Sequence, residues 1–163
     1  MSSCASYNKG MVITTVVSVR GDTDALLSIM RQFNAACNYL SAIAFREKIF
    51  HWLPLQRRAY HDIRAKFNLP SAAAVVVVRK VAYVYRNKTR HQTQATFRPL
   101  GAIPIYRHRY KRDSTVAFYG QRLPIQARLG VALSSRRQAT LCYQRGKFLI
   151  HQVLEAPEPE AYQ

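Results

Sequence analysis

The stretch from Leu55 to Arg90, LQRRAYHDIRAKFNLPSAAAVVVVRKVAYVYRNKTR, limits what this chain can fold into more than any other. Leu55, Ala59, Ile63 and Phe67 recur every four residues, which puts them on one helical face, while Arg57, Arg58, Arg64 and Lys66 fall elsewhere. Asn68 tolerates the left-handed conformation that ends a helix, Pro70 cannot continue one, and Ser71 can cap the next. The expected unit is a short helical hairpin.

Its second half is ambiguous, because Ala72 to Val78 ends in four consecutive valines and can also be read as a buried strand. Steps of three and four through Ala74, Val77 or Val78, Val81 and Tyr85 favour a helix. The valine penalty, roughly a few tenths of a kcal/mol each, is small beside packing. Arg79, Tyr83, Arg86 and Arg90 then align at i, i+4, i+7 and i+11. A basic stripe with an aromatic in it suits a polyanion with stackable bases. The plain alternative is a solvated helix face.

Charge narrows the partner. The chain has 163 residues, enough for one domain or two intimate lobes, and a net charge of +17. Between Ile63 and Leu154 lie 18 of the 25 Lys and Arg residues and a single acid, Asp113, so this segment carries the whole excess. A contiguous excess of that kind marks the folded surface as positive and makes nucleic acid the leading partner. A membrane is the weaker candidate, since no run of about 18 apolar residues is present. MSSCASYNKG contains no signal-peptide core, so a cytoplasmic location is expected. Cys4, Cys37 and Cys142 are scattered and odd in number, with no disulfide framework or CxxC zinc spacing.

Along the chain, residues 1–10 read as a polar leader. Met11 to Arg20 is rich in β-branched residues and reads as a strand. Asp22 or Thr23 can cap a helix from Asp24 to about Phe50, whose apolar stripe is Leu26, Met30, Phe33, Cys37, Leu40 and Ala44. After the hairpin, Ala95 to Pro99, Ile103 to Tyr110, Thr115 to Tyr119 and Arg122 to Leu129 read as short extended segments. Ala139 to Gln144 and Lys147 to Leu154 flank Arg145-Gly146, a hairpin signal. EAPEPEAYQ, residues 155–163, reads as an acidic linker-like tail. One strand, three helices and about six short strands predict an α+β fold. Residues 11–20 and 91–154 would form a small β-barrel, with residues 21–90 as a helical lobe inserted after its first strand.

In IYRHRYKR, Arg107, Arg109 and Lys111 share one side of an extended segment, and Tyr106, His108 and Tyr110 the other. Phosphate contacts on one side and stacking or core packing on the other follow. A basic edge strand that deters aggregation is the alternative. With Lys80, Lys88, Arg98 and Arg112, these residues and the Arg79, Tyr83, Arg86, Arg90 stripe complete the expected nucleic-acid-binding set.

Catalysis finds no foothold. A metal-dependent nuclease needs several converging carboxylates, whereas Asp62 and Asp113 sit singly among bases and serve best as charge balance. His51, His61, His91, His108 and His151 show neither HExxH nor zinc spacing. No GxSxG or Gly-rich phosphate loop is present, and Cys142 falls inside a strand-like segment. No catalytic residue, metal or cofactor is therefore expected.

The ordered phrases FNAACNYLSAIAFREKIF, LQRRAYHDIRAKFNLP with VRKVAYVYR, TFRPLGAIPIY and GQRLPI resemble the amino-terminal half of the TnpB/OrfB family. These are insertion-sequence, transposase-associated RNA-guided nucleases related to compact type V CRISPR effectors. The resemblance covers roughly Met11 to Pro157. It implies a wedge β-barrel with an inserted recognition lobe, holding guide RNA scaffold, the RNA–DNA heteroduplex and the DNA motif beside the target. It also implies that the acidic RuvC-like nuclease half would lie beyond the EAPEPE tail. The family often has an acid after its Ile-Pro-Tyr-like strand, where this chain continues Tyr106-Arg107-His108-Arg109, so contacts there differ.

Three functions stay open from the sequence. The first is a nucleic-acid-binding module without its own nuclease site. The second is half of a split RNA-guided DNA endonuclease, completed by a separate RuvC-like chain. The third is a basic structural protein of a ribonucleoprotein particle.

Overall fold

A computed structural model describes residues 12–19, 23–105, 115–118, 121–126 and 139–155. The expected leader, Arg107, Arg109, Lys111, Arg112 and Asp113, and residues 156–163 of the tail lie outside the described residues. The order is β1 (Val12–Val19), α1 (Thr23–Glu47), α2 (Trp52–Phe67), α3 (Ser71–Tyr85), a 3-10 turn (Lys88–Gln92), β2 (Ile103–Ile105), β3 (Thr115–Phe118), β4 (Gln121–Gln126), β5 (Ala139–Gln144) and β6 (Lys147–Glu155). The α+β class and the insertion of three helices after the first strand are as expected.

The helix α1 forms because its apolar stripe is nearly unbroken: Leu26, Met30, Phe33, Cys37, Leu40 and Ala44 are all fully buried. It ends at Glu47, three residues before the expected Phe50; Lys48, whose φ of 56° is left-handed, follows, and Ile49 N–H donates to Ala44 O at 3.0 Å. That six-to-one bond satisfies a carbonyl the helix end would otherwise strand. Nothing in a lysine announces such a cap, so the boundary was not legible.

The hairpin is closed by the same device, with Asn68 at φ 49° and ψ 44° and Leu69 N–H bonded to Arg64 O. Two details differ from expectation. The helix α2 begins at Trp52 and includes Pro54, because a first-turn proline has no intrahelical bond to lose. His51 is its N-cap, its ring Nδ1 accepting from Leu53 N–H at 3.3 Å. Ser71, expected as a cap, is instead the first residue of α3, whose N-cap Pro70 makes no side-chain bond. The valine run is helical, and its apolar face is broad: Ala73, Ala74, Val76, Val77, Val78, Val81, Ala82 and Tyr85 are all buried.

The antiparallel sheet has the order β2-β5-β6-β1-β4-β3. The turn Arg145-Gly146 has both φ values positive, 49° and 76°, as a two-residue hairpin whose twist matches its strands requires. Ile103, Leu141 and Ile150 lie in register across β2, β5 and β6, and all are fully buried. With the helical stripes they form one continuous core cluster. The strands at the two ends of the order, β2 and β3, do not pair with each other, so the described sheet is open and a closed barrel is not shown.

The segment after α3 corrects one expected strand. Ala95 to Pro99, read as a strand, pairs with none, because side chains of α1 and α3 take its backbone groups. Asn38 donates to Phe97 O at 2.9 Å and accepts from Phe97 N–H at 2.7 Å. Buried Ser41 donates to Ala95 O at 2.6 Å, and Ala95 N–H donates to the Tyr85 hydroxyl at 2.9 Å. Residues 94–102 therefore strap the sheet to the helices. Glu155, expected to open the tail, instead ends β6 opposite Val12.

Candidate nucleic-acid interface

Because α3 buries so much of its circumference, Arg79, Tyr83 and Arg86 are left together on the outward side at i, i+4 and i+7. All are exposed, Tyr83 at 71 %, a high exposure for an aromatic side chain. The stripe then stops. Arg86 is the C-cap, and Lys88 and Arg90 lie in the 3-10 turn that follows, so Arg90 does not continue the α-helical register. Both are exposed beside it, and Arg98 is exposed on the strap.

Closure of the hairpin sets the start of α2 against this stripe. The Arg79 guanidinium lies over the Trp52 ring, 4.5 Å from its centroid. Phe50, just before, stacks on His91 with centroids 3.8 Å apart and planes 14° from parallel, which fixes the corner. His91 Nε2 is 2.7 Å from Tyr85 O, so that nitrogen carries the proton. The edge strand β2 supplies Pro104 as the far wall. Together Phe50, His51, Trp52, Arg79, Tyr83, Arg86 and Pro104 line a groove of about 780 Å³, and among the described residues no carboxylate lines it.

Lys80 borders the groove but is committed elsewhere. Its ammonium donates to Asn34 Oδ1 at 3.0 Å and to Ala102 O at 2.6 Å. The Asn34 amide in turn donates to Met30 O, Pro99 O and Gly101 O, at 3.0, 3.1 and 3.0 Å. Burial holds the Lys80 ammonium below the usual lysine value, while nearby Cys37 acts in the opposite sense. Lys80 is thus a clasp between helix α1, helix α3 and the strap. Gly101 suits this corner, since a Cβ there would stand 3.1 Å from Arg98 O and 3.6 Å from Asn34 Oδ1.

Glu47 and Asp62 do not line the groove and already have partners. Glu47 accepts from Arg58 at 2.8 and 2.9 Å and approaches Arg46 at 3.6 Å, and Asp62 meets Arg58 at 3.5 Å. The bond from Arg58 holds the Glu47 carboxyl below its ordinary range. Asp62 therefore balances charge, as expected. Among the described residues, no group of three or more His, Cys, Asp or Glu could hold a metal ion. Burial pushes the Cys37 thiol up to about 12, against the pull of Lys80, so at neutral pH it is a core residue rather than a nucleophile. Among the described residues, no helix is long and apolar enough to cross a membrane.

Of the expected set, then, Arg79, Tyr83 and Arg86 come together, Lys88 and Arg90 flank them, Arg98 stands on the strap, and Lys80 turns inward. Sequence reasoning missed Trp52, His51, Phe50 and Pro104. The available signal was the chain's single tryptophan beside a helix start, five residues after the end of α1. No protein-family model matches this chain, and no curated protein does.

Proposed function

We propose that this chain binds structured RNA, using the groove between α2, α3 and β2 together with the exposed cations of the 3-10 turn. The observation that carries the reading is a groove in which Arg79 and Arg86 alternate with the rings of Trp52 and Tyr83 and to which the described residues bring no acid. Guanidinium groups neutralise phosphate and rings accept bases, and neither has an internal carboxylate to answer instead. The +17 charge supplies the long-range attraction.

The finer form of the proposal comes from the resemblance to TnpB-like proteins. In that form the sheet closes into a wedge barrel, the RNA is a guide scaffold, and a DNA target pairs with the guide. The described residues then bind and position, while a RuvC-like domain, covalently joined or separate, performs cleavage.

A salt titration with a folded RNA hairpin tests the coarser reading. If about six to ten phosphates are neutralised, affinity falls by about 10³ to 10⁵ between 50 and 200 mM salt. A flat titration would falsify it. Copurifying RNA, sequenced, tests the finer one: a single structured transcript supports a guide, and a random sample of cellular RNA removes it.

A further inference from the structure

The groove's donors and rings also specify what kind of nucleotide enters it. The Arg79 guanidinium lies over the Trp52 ring at 4.5 Å from its centroid, and a guanidinium that gives one face to a ring keeps its N–H fork as a bidentate donor around the rim. One turn along, the Tyr83 ring stays 71 % exposed even with the Arg86 guanidinium over it, 6.0 Å from its centroid. A base still paired inside a duplex has both faces covered by its neighbours, so only an unpaired base can offer a face to Tyr83. The concavity, about 780 Å³, is of the size that holds a small ligand rather than a double helix.

The polarity is as informative as the shape. Arg79 and Arg86 only donate, and the His51 Nδ1 lone pair is already occupied by Leu53 N–H. Among the described residues no side-chain carboxylate or amide stands in the groove to accept from an exocyclic amino group. Adenine and cytosine each present such an amino group on the edge that discriminates them, whereas guanine presents N7 and O6 as adjacent acceptors.

We propose that the groove captures one unpaired guanine of the bound RNA, its ring on Tyr83, its N7 and O6 on the Arg79 fork, and an adjoining phosphate on Arg86. This rests on the RNA-binding reading and names its ligand. Because Trp52 is the chain's single tryptophan, its fluorescence reports this groove alone.

The experiment titrates the full chain with a short oligouridine carrying one central guanosine, and with versions carrying adenosine, cytidine or 7-deazaguanosine there. Binding is read by Trp52 emission and by direct affinity. The guanosine strand is expected to quench Trp52 and bind roughly tenfold tighter than the other three. Annealing it to its complement should abolish the quench. Tyr83→Ala should weaken the guanosine strand about tenfold, and Tyr83→Phe should restore it, since the ring and not the hydroxyl is used. Equal binding of all four strands, or quenching by the duplex as strong as by the single strand, overturns the slot. If RNA hairpin binding persists and depends on Arg79 and Arg86 while Trp52 emission stays constant, the slot alone is wrong. If hairpin binding is salt-insensitive, the underlying RNA reading falls with it.

Discussion

The two helices of the hairpin both carry cations, four on α2 and three on α3 with its C-cap, yet they satisfy them in different ways. On α2, Arg58 binds Glu47 and Asp62, Arg64 donates to Leu69 O, and Lys66 lies over the Tyr39 ring. On α3, Arg79 and Arg86 have aromatic neighbours in place of acids. An ion pair answers a cation's charge, whereas a ring orients a guanidinium and leaves most of its charge to act outward. Two faces that look alike in composition therefore differ in what they can bind. Counting bases finds both, and only the partner of each base separates them.

The largest expected effect breaks this comparison directly. Replacing Arg79 and Arg86 together by Ala should lower RNA affinity by roughly 10- to 100-fold near 0.1 M salt and reduce the salt slope by about two. The matching α2 pair, Arg57→Ala with Arg58→Ala, should change affinity by less than about threefold. Filter binding or fluorescence anisotropy at several salt concentrations reads both. Equal losses from the two pairs would mean that total charge decides and the aromatic partners do nothing.

Next in size is a stability effect within α3 itself. Lys80→Met keeps the aliphatic stem but removes the donor to Asn34 Oδ1 and Ala102 O, leaving polar groups short of a partner in a half-buried site. It should cost about 1–3 kcal/mol in denaturant unfolding. The adjacent Arg79→Ala, at an exposed position, should cost no more than about 1 kcal/mol. The same two variants should reverse their order in RNA binding. If Lys80→Met loses RNA affinity at full stability, the clasp has been misassigned and Lys80 rejoins the binding set.

That pair also shows where sequence reading stops. Periodicity found the stripe of α1 and the broad face of α3, because burial of apolar side chains repeats with the helix itself. It also found the outward position of Arg79, Tyr83 and Arg86, the complement of that face. It put Lys80 among the ligands, since a lysine beside a basic stripe looks the same whether its ammonium meets solvent or a carbonyl on a distant strap. The contact between Trp52 and Arg79 exists only once the hairpin closes, and no local pattern encodes it. A better signal was present for the strap. Asn34, Asn38 and Ser41 recur at four and three residues along the buried side of α1, where polar side chains need partners. A polar row on an otherwise apolar face announces backbone arriving from elsewhere, and residues 95–101 supply it.

The smallest expected effect sharpens the comparison through pH and charge at Glu47. Its carboxyl is held below the ordinary glutamate value of 4.5, first by the hydrogen bond from Arg58. A folded pKa below the unfolded one means that the pair's contribution is fully present above pH 4.5. It is lost as pH falls through the lower folded value, where the unfolded chain has already taken up its proton. The site is exposed, so the slope should be slight, and Glu47→Gln should flatten the decline in stability between about pH 5 and pH 3. At neutral pH the same substitution releases Arg58 from its nearest acid. If acid partners are what keep α2 out of RNA binding, Glu47→Gln should tighten RNA affinity by up to about threefold at low salt. Arg58→Ala in that background should then cancel the gain. A Glu47→Gln protein with unchanged affinity and unchanged salt slope would show that α2 is silent for reasons of shape, with the ion pairs a consequence rather than the cause.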